Sequence, residues 1–109
     1  MKDLTFTELR RASYHRAVNV FNHDDNLLDW SPAEWSNAMA GEAGETCNLT
    51  KKMLRDGADT IDIEDLGDEI ADVVIYADLL ATRMGLRLED CIRRKFNKVS
   101  DKKNSSIKL

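Results

Sequence analysis

The chain has 109 residues, 42% of them apolar and 33% charged, with a net charge of −4. This length suits one domain, one proline and five glycines argue against a loop-rich or all-β design, and the negative balance disfavours a surface for a nucleic acid polymer. No apolar run approaches membrane-spanning length, and Asp3, Glu8, Arg10 and Arg11 interrupt the stretch where a signal peptide would lie, so a cytoplasmic protein is expected.

Thr5 and Glu8 have the spacing of a capping box, and a first helix is predicted from there to about Phe21. Phe6, Leu9, Ala17, Val20 and Phe21 form a broken apolar stripe on it. His15 and His23 read either as surface or partly packed histidines or as polar contacts to a ligand; neither has a second histidine or a cysteine at metal-ligand spacing. Asn22 to Asp29 is a polar loop. Ser31 then offers an N-cap, Pro32 fits the first helical position and Glu34 completes S-x-x-E, so a second helix is predicted from Pro32 to Arg55. Trp30 and Trp35 bracket its start, either as hydrophobic anchors or as a flat wall on which a base stacks.

The second helix carries Glu42 and Glu45, three apart and therefore surface neighbours. Turning about 100° per residue from Glu42, Trp35, Met39, Thr46, Leu49 and Met53 fall within roughly 60° of it, and Glu45 lies at the stripe's edge. Glu42 thus points where a core should be. Gly41 and Gly44 interrupt the helix, where glycine costs roughly 1 kcal/mol relative to alanine, which suggests either close approach of a helix or ligand, or plain tolerance. Lys51, Lys52 and Arg55 complement the helix dipole; Lys52, about 80° from Glu42, is also positioned for a phosphate oxygen.

After a loop containing Gly57, a third helix is predicted from Asp62 to Met84, with Glu69 and Asp72 on one side. From Val73 to Ala81 it is apolar nearly all round, the pattern of a helix covered on every side; in so short a chain this implies a subunit interface. Tyr76, one turn after Asp72, either bonds to the site or packs. Gly85 suits a C-cap, and Leu88, Ile92, Phe96 and Val99 stripe a fourth helix. Lys95 adjoins that stripe as a snorkelling lysine. The domain spans 1–100, and 101–109 is a polar tail, frayed or docked on a partner. Cys47 and Cys91 have no CxxC partner and read as small core residues in a reducing compartment.

Carboxylates aimed at a core are costly unless a cation compensates them. With no Glu-x-x-His spacing for a di-iron bundle, Glu42, Glu45, Glu69 and Asp72 fit Mg2+, with Mn2+ able to substitute. Two such ions stabilise the attacking and leaving oxygens of a displacement at phosphorus, so metal-assisted hydrolysis of a phosphate compound is the derived reading; the alternative is an acidic face without an ion.

Glu42-x-x-Glu45 followed by Glu69-x-x-Asp72, within Trp35-Ser-Asn-Ala-Met-Ala-Gly-Glu-Ala-Gly-Glu45 and Leu66-Gly-Asp-Glu-Ile-Ala-Asp-Val-Val-Ile-Tyr76, and with Arg94-Lys-Phe-Asn-Lys-Val-Ser100 beyond, resembles the MazG-like superfamily of all-α nucleoside triphosphate pyrophosphohydrolases. The resemblance covers about Trp30 to Ser100. It implies an all-α, four-helix-bundle-like protomer assembled as a homodimer or as a dimer of dimers (a homotetramer). It implies cleavage of a (d)NTP between the α and β phosphates, with Glu42, Glu45, Glu69 and Asp72 as catalytic metal ligands. A water aligned by Glu42 or Glu45 would attack the α-phosphorus. Lys52 and Lys95 would neutralise the leaving pyrophosphate, Tyr76 would lie near the phosphates, and Trp30 and Trp35 would face the base. Helix 1 and the loop to Trp30 would shape the base pocket. Competing readings are a specialised enzyme for phosphoribosyl-ATP or for dUTP or dCTP, and a non-catalytic helical interaction module.

Overall fold

A computed structural model describes residues 1–109. Four helices make up the protomer, and it contains no strand: α1 (Phe6–Asn19), α2 (Pro32–Asp56), α3 (Ile63–Arg83) and α4 (Leu88–Lys102). Local chemistry sets most of the ends. The Thr5 hydroxyl accepts from the Glu8 backbone N–H at 3.1 Å while the Glu8 carboxylate accepts from that of Thr5 at 3.2 Å. Ser31 and Glu34 repeat the reciprocal pair at the start of α2. Asp62 caps α3 by accepting from the Glu64 N–H at 2.9 Å. Gly57 and Gly85, at φ +110° and +72°, carry the chain out of α2 and α3. The first helix stops at Asn19, short of the predicted Phe21, and Val20 and Phe21 are exposed.

α2 and α3 form the central antiparallel pair, with Ser36 and Met39 beside Ala77 and Leu80 at one end and Leu49 beside Asp65 at the other. α1 and the loop after it pack across α3. A small core forms there from Ala17, Leu27, Trp35 and Leu79, flanked by Tyr14, Trp30, Ile75, Tyr76 and Leu80. Trp35 is its largest member, and its Nε1–H donates to the Leu27 carbonyl at 3.1 Å. That bond, and the Asn26 N–H donated to the Tyr14 hydroxyl at 3.0 Å, hold the loop although Asn26 and Leu27 both have φ near +60°. A branched apolar residue rarely adopts that backbone; complete burial of Leu27 offsets the cost.

Only 7 of 109 residues are buried, so one protomer leaves much of its apolar surface uncovered. α3 is not enclosed on all sides within the chain: Ile70 and Val74 are exposed. The α4 stripe is open as well, at Ile92, Phe96 and Val99. The cysteines are unpaired, as expected, but neither lies in the core: Cys47 is exposed and Cys91 half-buried. The tail folds back on its own α4, where the Asn97 side chain accepts from the Leu109 N–H at 2.8 Å and donates to its carbonyl at 3.1 Å. Lys108 pairs with Asp101 beside it. No helix is long and apolar enough to cross a membrane.

Candidate metal centre and adjoining cavity

The α2 stripe is oriented as its spacing requires. Trp35 is buried; Met39, Glu42, Thr46, Leu49 and Met53 are half-buried towards the neighbouring helix; Glu45 is exposed. Glu42 meets Glu69 and Asp72 across the α2–α3 seam, and one carboxylate oxygen from each of the three lies within 4.8 Å of the others. None of the three has an ion pair with a lysine or arginine of the chain. Glu69 Oε2 is buried without a hydrogen-bond partner. The neighbouring Glu42 carboxyl, then burial, then the charges of Glu42, Asp72 and Asp68 push the Glu69 carboxyl up from its ordinary range. Three crowded acids, one with an unused oxygen turned inward, fit a hard cation that accepts oxygen ligands. Glu45 lies outside the triad, in an acidic cleft with Asn48, Asp65, Asp68 and Glu69. Its position at the edge of the stripe, one turn on from Glu42, places it further along the same α2–α3 seam, beside the triad and not within it.

A cavity of about 360 Å³ opens beside the triad, and Glu42 and Asp72 form part of its wall. Trp30, Trp35 and Tyr76 also line it. Trp30 and Trp35 lie 4.5 Å apart between ring centroids, tilted by 51°, and the Trp30 carbonyl is held by Arg83 Nε at 2.9 Å. Arg16, Phe21 and His23 line the cavity too; the sequence singles out Phe21 as part of the first helix's stripe and His23 as one of two candidate ligand contacts, but not Arg16. The Arg16 guanidinium sits 5.7 Å over the Phe21 ring. Arg16 comes from the end of α1 and Phe21 and His23 from the irregular chain after it, the region that the resemblance expects to shape the base pocket. His15, by contrast, is exposed and bonded to Asn19.

The two lysines are elsewhere. Lys52 is exposed and lines neither the cavity nor the acidic cleft. Lys95 is on α4, in a shallow groove with Cys91, Ile92 and Phe96. Within one chain the triad, Tyr76 and the two tryptophans are together, and Lys52 and Lys95 are apart from them.

The profile of the MazG-like family matches residues 44–107, which include Glu45, Glu69 and Asp72. The chain is also similar to the "Gene 37 protein" of Mycobacterium phage L5, with 36% identity over 72 residues, covering 63% of this chain and 63% of that protein. It therefore spans less than two thirds of that relative's length. No solved structure matches it.

Proposed function

Since the chain belongs to the MazG-like family, we propose that it is a nucleoside triphosphate pyrophosphohydrolase, cleaving between the α and β phosphates to give a monophosphate and pyrophosphate. The observation that carries this reading is a carboxylate triad without a cation of its own, set against an aromatic-walled cavity. The cavity suits a flat base, and the triad beside it suits the metal that accompanies a triphosphate.

Magnesium, or manganese in its place, supplies positive charge for the phosphates when bound, and Glu42, Glu69 and Asp72 are the residues that would hold it. Glu45 carries the proton chemistry: outside the triad but one turn from Glu42, it orients a water and accepts its proton as the water oxygen bonds to the α-phosphorus. The α-phosphorus–oxygen bond to the leaving pyrophosphate breaks in the same displacement. Trp30 stacks on the base with the buried Trp35 backing it, and Tyr76 bridges the base and phosphate ends of the cavity.

The uncovered apolar residues of α3 and α4, such as Ile70, Val74, Phe96 and Val99, support a homodimer or homotetramer. The proposed role of Lys52 and Lys95 at the leaving pyrophosphate depends on that assembly. The test is pyrophosphate release from a panel of ribo- and deoxynucleoside triphosphates with Mg2+, including dUTP, dCTP and phosphoribosyl-ATP. Equimolar monophosphate and pyrophosphate, lost on chelation, is the expected result. Release of orthophosphate, or no metal-dependent turnover together with no Mn2+ uptake in equilibrium dialysis, overturns it.

A further inference from the structure

His23 is fixed more firmly than a loop residue requires. Its backbone N–H donates to the Ala17 carbonyl at 3.0 Å. Its ring meets Trp30 edge-on and Trp35 at a tilt, each with centroids 4.8 Å away. Its Nδ1 lies 2.8 Å from an Asp29 carboxylate oxygen. Burial pushes the Asp29 carboxyl up, but the hydrogen bonds from His23 and from the backbone outweigh it and leave Asp29 below its ordinary range. An ionised carboxylate only accepts, so Nδ1 carries the proton. In the neutral imidazole Nε2 is then an acceptor, and it makes no hydrogen bond within the chain.

The cavity's other polar groups divide clearly. Trp35 Nε1 is committed to the Leu27 carbonyl, and Glu42 and Asp72 belong to the triad. The Tyr76 hydroxyl both donates and accepts, so it does not discriminate. Arg16 only donates. What remains to read a base edge is one acceptor, His23 Nε2, and two donors, Arg16 and the Trp30 indole N–H.

We propose that His23, oriented by Asp29, is the specificity-determining residue of this cavity and selects bases bearing an amino group, cytosine or adenine, over their keto counterparts. Arg16 pairs with an acceptor on the same base. The proposal rests on the reading of the cavity as the base pocket of a nucleotide hydrolase. An amino N–H satisfies Nε2, whereas a keto oxygen sets acceptor against acceptor and leaves both unpaired, a difference of about tenfold for one hydrogen bond.

The pairs CTP/UTP and ATP/ITP differ chiefly in this group. Their binding is read from quenching of the two tryptophans, and pyrophosphate release is measured in parallel with Mg2+. The wild-type protein is expected to favour the amino member of at least one pair by about tenfold. His23→Phe, which keeps a flat ring against the tryptophans, is expected to bring that ratio near one, and Asp29→Asn to lower it partway. Equal binding within both pairs, or a ratio unchanged in His23→Phe, overturns the proposal. Amino preference in binding without hydrolysis of any nucleotide sinks the hydrolase reading and leaves His23 in its role; hydrolysis without amino preference does the reverse.

Discussion

Two groups of carboxylates lie on different sides of α3 and are treated oppositely. Asp78 on α3 is fully buried, and with Glu89 on α4 it is answered from α1 by Arg10. The Arg10 Nη2 lies 2.9 Å from Asp78 and 2.5 Å from Glu89, and Nη1 reaches Glu89 at 3.1 Å. The bond to Glu89 is the main reason that the Arg10 guanidinium is held charged more strongly than usual, and Arg10 in turn pulls the Glu89 carboxyl down to about 2. Earlier on α3, Glu69 and Asp72 meet Glu42 and receive no cation from the chain. Where acid serves to clamp three helices together, an arginine pairs with it; where acid gathers beside the cavity, no lysine or arginine pairs with it. The difference is what makes the second group the candidate site, since crowding like charges has a structural cost that packing alone does not explain.

The most severe way to test this contrast is Glu69→Gln. Turnover is expected to fall about a thousandfold, roughly 4 kcal/mol of transition-state stabilisation. In metal-free buffer the variant should melt above the wild type, because the repulsion that raises the Glu69 carboxyl is gone. Mn2+ at about 100 times its dissociation constant should stabilise the wild type by roughly 2.7 kcal/mol and the variant much less. Melting curves with and without Mn2+ decide it: a wild type indifferent to the ion, with Glu69→Gln less stable, would erase the distinction between the two groups.

Arg10→Met probes the other group. It strands Asp78 in the interior, and a loss of about 3 kcal/mol in unfolding stability is expected, with the Mn2+ response retained. The pH dependence adds a second readout. The folded-state value of Glu89, about 2, is below the roughly 4.3 of an unfolded glutamate. Its contribution is therefore fully present above about 4.3 and lost as pH falls from there towards 2. Urea titrations between these limits should show the wild type losing stability steadily. In Arg10→Met that contribution is absent, so the acid loss should flatten. A variant that keeps the wild-type acid profile would place the clamp elsewhere.

Much of this was legible before any coordinates, where the signal was local. Thr5/Glu8 and Ser31/Glu34 write their helix starts in four residues each, and both boxes form. Glu42 declared itself by standing in an apolar stripe. The Arg10–Asp78–Glu89 clamp left no such trace, since its partners are 68 and 79 residues from Arg10 and Asp78 looks like any polar break in a helix. In the sequence His23 is one of two equivalent histidines; only the loop, with Asn26 and Leu27 at positive φ, sets it against two tryptophans. The cysteines were misjudged because helical spacing reports which residues share a face, and not whether the chain itself covers that face; Cys47 lies along an open one with Ile70, Val73 and Val74.

The smallest expected effect concerns the α2 backbone beside the triad. Gly41 and Gly44 are exposed, and a Cβ added at either meets nothing within 4 Å. No neighbouring element therefore demands glycine there within the protomer, and neither position has a positive φ. Gly44→Ala should stabilise the chain by about 1 kcal/mol through the lower entropy cost of ordering alanine, roughly 4 °C in melting temperature, with turnover unchanged. Gly44 points away from the Glu42 stripe, so the substitution leaves the triad in place. A lowered melting temperature accompanied by a smaller particle in sedimentation would show instead that a second copy packs on this side. The contrast would then have to be redrawn at the level of the assembly, with the triad's missing cation sought on the neighbouring subunit.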